Sequence, residues 1–494
     1  MTKIPEAQLN FKDFESAIFE IMCKISCELI GQYLEQLDLS IMKMRDSKEY
    51  RLVYSQETTV KTIMGEVGFR RRYYKKRSGG YVYLLDEELG IYCGCGLSSE
   101  NLAEQIVVGC TDKSFRKVAS DINSFTGQAI SAMGVWQIFQ KYGEAVVDQI
   151  SRLKELDDGE GRGHIGNVSS RVLFDEYDDV WISRQKERRQ KRNSASASEK
   201  DVFETDRKLG KRPMHVGIAY SGWEQAKDGR HNTVDKIAYA SFGSVSGFTS
   251  TFEVLLSQYF DMDVVERRVT NGDGESWIRT VAAENDSILQ LDPYHRSKAV
   301  IKAVKGKEDR NRLFGAVVEK DVDKVLDIVE TLSLNAEDEK SLKKLEDLYG
   351  YFSNNKDIFL TWQERGIELP PPPDSITYRG MGVQESNNCS LITHRMKHRR
   401  GSWSERGGDN MAMMLCFRNT VGLDAILGPL PEPTPSKAWL EPLSAAKAPQ
   451  YDGKGYGADW LYAEMPFENA FRTHGRQAVR NMLRMKPLSQ LTFK

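Results

Sequence analysis

Four carboxylates inside one apolar stretch constrain this chain more than any other feature. Arg171-Val-Leu-Phe-Asp-Glu-Tyr-Asp-Asp-Val-Trp-Ile182 sets Asp175, Glu176, Asp178 and Asp179 among β-branched and aromatic residues, with no Gly or Pro between them. Such a run predicts a buried strand. Ionised side chains on a buried strand are costly unless something cationic neutralises them. Alternation puts Val172, Phe174, Glu176, Asp178 and Val180 on one face, so Asp178 projects beside apolar residues from a rigid element. A metal ion is one candidate partner.

The 494 residues, 40% hydrophobic and 28% charged, are enough for two or more domains of an ordinary globular protein. A net charge of −2 averages over strongly basic runs, so a nucleic-acid partner would be held by patches. No apolar run approaches the roughly 18 residues that cross a bilayer, and Met1-Thr-Lys-Ile-Pro5 has no apolar signal core. The expectation is a cytoplasmic protein with no membrane partner. Seven irregularly spaced cysteines suit reduced thiols. Cys93-Gly-Cys95 with Cys110 lacks the further CxxC or His pair that a zinc site would need.

Phe11, Phe14, Ile18, Met22, Ile25, Leu29 and Tyr33 recur every three or four residues and predict a long amphipathic helix over 10–38, in a core or a dimer. Residues 50–89 then alternate as short strands. Gly68-Phe-Arg-Arg-Arg-Tyr-Tyr-Lys-Lys-Arg77 mixes cations, among them Arg70, Arg71, Arg72, Lys75 and Lys76, with aromatics on a predicted hairpin. That surface could grip phosphates and stack on bases, or be a solvated edge guarded by charge. Helical segments at 113–122 and 131–142 are compatible with a helix-turn-helix, as with many helical hairpins. Residues 1–156 thus read as an N-terminal DNA-binding region, closed by the glycine-rich linker 157–166.

Strands at 214–220, 236–242, 264–274 and 287–292 alternate with helices at 249–259 and from 276, which implies an α/β layer over 167–296. Within it, Arg184 to Arg192, including Arg188 and Arg189, runs into a Ser/Ala tract and predicts a mobile loop that could follow a DNA backbone. Residues 297–373 read as a charged helical insertion, ended by Pro370 to Pro373. The core resumes over 374–425 with a helix from Glu385 through His394-Arg-Met-Lys-His-Arg-Arg400. There Arg395, Lys397, Arg399 and Arg400 are candidate phosphate contacts. A Pro-rich tail, 426–494, follows.

Asp273, between glycines in Asn271-Gly-Asp-Gly-Glu-Ser-Trp277, ends a predicted strand at the edge where α/β sheets bind ligands. Alone it is also an ordinary Asp-Gly turn. Glu385 stands at a glycine-to-helix junction, where alone it is a first-turn acid favoured by the helix dipole. A strand carboxylate, a second at a neighbouring strand end and a third on a later helix behind a large insert resemble the DDE transposases of ribonuclease-H-like fold. More closely, the chain resembles the ISLre-type bacterial insertion-sequence transposases, relatives of the mutator-like group. The segments are Leu173-Phe-Asp-Glu-Tyr-Asp-Asp-Val-Trp-Ile182, Asn271-Gly-Asp-Gly-Glu-Ser-Trp-Ile278, Leu291-Asp-Pro-Tyr-His-Arg-Ser-Lys298, Gly382-Val-Gln-Glu-Ser-Asn387 and Arg399-Arg-Gly-Ser-Trp-Ser-Glu-Arg-Gly407, in the family's order.

The resemblance implies a ribonuclease-H-like α/β catalytic domain with a helical insertion, behind a mostly helical N-terminal region containing a small β element. It implies a triad of Asp178, Asp273 and Glu385, and an Asp-x-x-His element at Asp292 and His295, with His295 orienting the scissile phosphate or Asp292. Where the family tends to show Glu-Ala-Asp-Gly, this chain has Glu176-Tyr-Asp-Asp179, with a bulkier residue and an extra acid. Two Mg²⁺ or Mn²⁺ ions are implied on the triad, about 3.5 to 4 Å apart. The implied reaction cuts element-end phosphodiester bonds and joins the 3′-hydroxyl to target DNA. Its implied partners are terminal inverted repeats, target DNA and further copies of the chain. Two other classes compete: a non-catalytic DNA-binding protein derived from a transposase, and a metal-dependent nuclease that cuts without joining.

Overall fold

The computed structural model describes residues 11–89, 97–126, 129–160, 166–185, 210–398 and 401–428. The Cys93–Cys95 motif, Arg188, Arg189, Arg399, Arg400, much of the glycine-rich linker and the Pro-rich tail from 429 lie outside the described residues. The chain forms two units, one containing the residues up to Phe139 and a second spanning Gln140–Leu430.

In the first unit, helix α1 (Phe11–Met44) runs past the expected end at 38, because Ser-Ile-Met-Lys-Met44 contains neither Gly nor Pro to stop it. Strands β1 (Tyr50–Thr62) and β2 (Gly65–Lys76) pair antiparallel from Thr62↔Gly65 to Tyr50↔Lys76. They form one long hairpin where short strands were expected. Short strands β3 (Tyr81–Val82) and β4 (Leu97–Ser98) flank it in the order β3-β2-β1-β4. Alternate residues Val67 and Phe69 of β2 meet Leu34, Leu37 and Ile41 of α1, with Val60 and Leu85, in a small apolar core. Helices α2 (Leu84–Leu89), α3 (Glu100–Asp112) and α4 (Phe115–Thr126) follow, and α5 (Ala132–Glu160) carries the chain into the second unit.

The second unit is built on a five-stranded mixed sheet. Its members are β5 (Val172–Ser183), β6 (Lys211–Tyr220), β9 (Ile237–Ser241), β10 (Arg267–Gly272) and β11 (Ile288–Leu291), while β7 (Gly222–Gln225) and β8 (His231–Val234) form a separate ribbon. The order is β11-β10-β5-β6-β9. β5 is central: it runs parallel to β10, itself parallel to β11, and antiparallel to β6, itself antiparallel to β9. Burial on both faces explains why apolar residues flank its acids on either side. Phe174 packs on Tyr220, Trp223 and Tyr378. On the opposite face Tyr177 meets Phe248, Phe252 and Trp277 edge-on. Each such side chain contributes about 1.5–3 kcal/mol by burial, which lets the strand tolerate acids.

Helices α6 (Val245–Tyr259) and α7 (Ser276–Glu284) connect the strands. After β11 comes a helical block of α8 (Pro293–Ala303), α9 (Lys307–Val318), α10 (Val322–Leu334) and α11 (Glu339–Asn354), with its own core around Leu313, Val325, Val329, Leu348 and Phe352. Asp292, Asp321 and Asp338 cap three of these helices by accepting first-turn N–H groups. The predicted Glu385 helix is α12 (Gln384–Asn387) and α13 (His394–Met396) joined through a π-helical turn, Asn388–Thr393. Helices α14 (Glu405–Asn419) and α15 (Val421–Leu427) close the unit. Among the described residues no helix is long and apolar enough to cross a membrane.

Candidate metal centre and active site

The register of the sheet brings the acids together. Asn271 pairs with Glu176, and Gly272 with Leu291. Continuing the ladder past β10 therefore sets Asp273 level with Asp178 on one side and Asp292 on the other. The turn after Asp273 depends on Gly274, whose φ of 92° other residues rarely adopt. The Glu275 N–H then donates to Asp273 Oδ1 at 3.0 Å and fixes that carboxylate.

Asp292 caps α8, accepting from the Tyr294 N–H at 2.9 Å, with Pro293 in the first turn where its missing N–H costs nothing. In that same turn His295 brings its Nε2 to 3.7 Å from Asp178 Oδ2. Glu385, in the first turn of α12, accepts from the Tyr294 hydroxyl at 3.4 Å. One ligand atom each from Asp178, His295 and Glu385 lies within 4.8 Å of the others. Asp273 falls outside that triplet, yet its charge acts on Asp178.

Burial pushes the Asp178 carboxyl up to about 6. His295 and the Asp179 N–H oppose the shift, and the charges of Asp273 and Glu385 add to it. Burial likewise raises Asp273 and Asp292. Like charges crowded in a poorly solvated pocket become compatible once a cation sits among them. Carboxylate oxygens suit hard Mg²⁺ or Mn²⁺, and two of them, from Asp178 and Glu385, stand with the His295 imidazole nitrogen close enough to share one ion. Asp178 is also oriented from both oxygens, by the Asp179 N–H at 2.8 Å and the Asn388 side-chain amide at 2.6 Å.

The four acids of β5 divide by face. Glu176 is fully buried. Its Oε1 accepts from the Tyr220 hydroxyl (2.6 Å) and the N–H groups of Gly382 and Val383 (3.2 Å each), and its Oε2 from Asn271 (2.9 Å) and the Gln384 N–H (3.1 Å). Asp175, on the other face, pairs with Arg268, which also holds Glu253. Asp179 meets His215 Nδ1 at 2.6 Å. Only Asp178 turns toward His295 and Glu385. Neither Glu176 nor Asn388 stood among the candidates from sequence; for Glu176 the available signal was its position two residues from Asp178 on the same strand face.

The candidate DNA-contacting cations separate as well. Arg71 is buried, bonded to Asp86 and 3.7 Å over the Tyr83 ring. Arg395 is buried with its guanidinium 5.2 Å over Trp403. Both side chains point inward, which corrects the expectation of surface phosphate contacts at these two positions: an aromatic partner and an inward strand or helix position outweigh the charge. Arg72 bonds the buried Asp38 at 2.6 Å, and Lys76 bonds Glu87 at 3.0 Å. Arg70, Lys75 and Lys397 are exposed. His394 and His398, also exposed, hold their rings 6.5 Å apart.

A family model described as an uncharacterised protein family, UPF0236, matches residues 5–425. A UPF0236 protein of Caldanaerobacter subterraneus subsp. tengcongensis, whose name joins eleven locus labels, is 23% identical over 422 residues, 84% of this chain and 79% of that protein. The UPF0236 protein in the vanSb 3′ region of Streptococcus gallolyticus is 21% identical over 427 residues, 84% of each chain. Among solved structures, the Drosophila P element transposase strand transfer complex is similar over 68% of this chain and 80% of that one, at 10% identity. Its TM-score of 0.21 is too low to carry a structural argument.

Proposed function

The chain belongs to the UPF0236 family, and we propose that it is the DDE-type transposase of an ISLre-type insertion sequence, with a ribonuclease-H-like catalytic domain in its second unit. The observation that carries this reading is the approach of Asp178, His295 and Glu385 to within 4.8 Å, with Asp273 beside them, from elements far apart in sequence. The sheet supports it: a central strand with an antiparallel pair on one side and a parallel pair on the other is the ribonuclease-H arrangement. A relative whose name joins eleven locus labels of one organism fits an element present in many copies.

Two divalent ions, Mg²⁺ or Mn²⁺, held by Asp178, Asp273 and Glu385, would supply activation of the attacking hydroxyl and stabilisation of the leaving oxygen at phosphorus. The chain's own groups position the reactants. Asp178 is fixed by Asn388 and the Asp179 N–H, and Asp273 by the Glu275 N–H. His295, held by the capped start of α8, orients the scissile phosphate. Water as nucleophile leaves a free 3′-hydroxyl at the element end. That hydroxyl then attacks a target phosphodiester, forming the new P–O bond and releasing a target 3′-hydroxyl. The exposed Arg70, Lys75 and Lys397 would meet DNA phosphates, and synapsis of two element ends calls for a homo-oligomer.

Incubating the chain with labelled element-end DNA and Mn²⁺ or Mg²⁺ tests this. Cleavage and strand joining by the wild type, absent in Asp178→Asn, is expected. Binding without cleavage in both would leave a DNA-binding protein, and cleavage without joined products a nuclease.

A further inference from the structure

We infer that Glu176 is the positioning residue that sets where the Glu385 carboxylate stands, and through it the affinity of the acid cluster for a divalent cation. The inference rests on the metal-site reading above. Glu176 lies two residues before Asp178 on the same face of β5, with none of its surface exposed. Three of its five donors are the consecutive backbone N–H groups of Gly382, Val383 and Gln384, and Glu385 is the next residue.

The first N–H groups of a helix have no partner within it. Here no side-chain cap bond is made by Val383, the residue at the cap position. The donors instead close on a carboxylate of the central strand, so the backbone leading to one acid is tied to the strand bearing another. Gly382 makes the approach with φ 123°, which a side chain would strain.

The other two donors anchor Glu176 itself. Tyr220 reaches it from β6 and Asn271 from β10. Asn271 is braced in turn by Gln290 at 3.0 Å, whose Oε1 accepts the Trp362 N–H at 3.0 Å. Both flanks of the helical block are therefore linked to the same carboxylate. Five converging donors call for a group that only accepts. An amide at this position turns an NH₂ toward them, leaving the Gln384 N–H unpaired in one orientation and those of Gly382 and Val383 in the other.

Asp175 supplies the control. It is the neighbouring residue, equally buried, and its hydrogen bonds run to Arg268 and Tyr177 on the opposite face of the sheet. A purely structural role for buried acids in β5 would make the two positions equivalent toward metal.

The experiment is calorimetric titration of the full chain with Mn²⁺ alone, with thermal unfolding measured in parallel, for wild type, Glu176→Gln, Gly382→Ala and Asp175→Asn. Glu176→Gln and Gly382→Ala are expected to weaken Mn²⁺ binding roughly ten- to a hundredfold. Asp175→Asn is expected to lower Tm and keep the wild-type Mn²⁺ affinity. A Glu176→Gln chain that melts lower but binds Mn²⁺ like wild type overturns the inference, as does an Asp175→Asn chain that loses Mn²⁺ to the same degree. Should Glu176→Gln not fold, Gly382→Ala decides, and wild-type affinity there overturns it. A wild-type chain that binds no Mn²⁺ removes the metal-site reading itself, a failure told apart because it appears before any substitution is made.

Discussion

Asp178 carries its charge against the preference of its surroundings. Its folded-state pKa is pushed up to about 6, first by burial. The protonated form is therefore favoured in the fold, and the metal-free chain loses stability as pH rises from the ordinary carboxylate range through about 6. Asp178→Asn removes that cost. Without metal the variant is expected to lose less stability than wild type between pH 5 and pH 7.5, by at most about 3 kcal/mol in unfolding free energy, while cleavage falls at least about a hundredfold. Urea unfolding at both pH values and a cleavage assay on the same preparations check this, and equal losses of stability in the two proteins contradict it. Alternation within one strand set Asp178 on a face it shares with Glu176, and the choice of Asp178 came from the family resemblance. Alternation could not assign Glu176, whose partners Gly382 to Gln384 arrive from a distant loop, nor could it show that Arg71 and Arg395 turn inward, since that depends on Asp86, Tyr83 and Trp403.

Elements were legible wherever one signal dominates. β5 follows from β-branched and aromatic residues on both sides of its acids with no Gly or Pro between them, whereas α8 begins at Pro293, four residues before the expected start at 297. The π-turn was not legible, because Asn-Cys-Ser-Leu-Ile-Thr393 satisfies helical periodicity and nothing in it specifies the wider hydrogen-bond spacing. At α14, Asp409 accepts from the Phe242 N–H at 2.7 Å. Burial pushes its carboxyl up to about 6; that N–H opposes the shift and Glu405 adds to it. The sign matches Asp178: stability is lost as pH rises from about 4 through 6. Asn in its place still offers an oxygen to Phe242. Urea unfolding at pH 5 and pH 7.5 is expected to show a smaller loss of stability with rising pH in Asp409→Asn than in wild type. Equal losses would mean that Asp409 does not titrate in this window.

For the whole molecule, the alternation of strands and helices announced an α/β layer interrupted by a charged helical block, and that order is present in the second unit. The division at Phe139 and Gln140 was not legible, because α5 keeps its helical periodicity straight through it. DNA binding belongs to this scale. Arg70→Ala and Lys75→Ala, at exposed positions, are each expected to weaken binding of the full chain about equally on all sequences and to reduce the salt slope by about 1. Arg71→Ala instead is expected to lower Tm by leaving the Asp86 charge without its guanidinium. Filter binding across a KCl series, with melts alongside, separates the two effects. The most direct measurement of the proposed metal site is anomalous scattering from crystals of the full chain soaked in Mn²⁺. Density is expected among Asp178, Asp273 and Glu385 and lost in Asp178→Asn, whereas Mn²⁺ bound elsewhere with these three carboxylates unliganded would contradict the account.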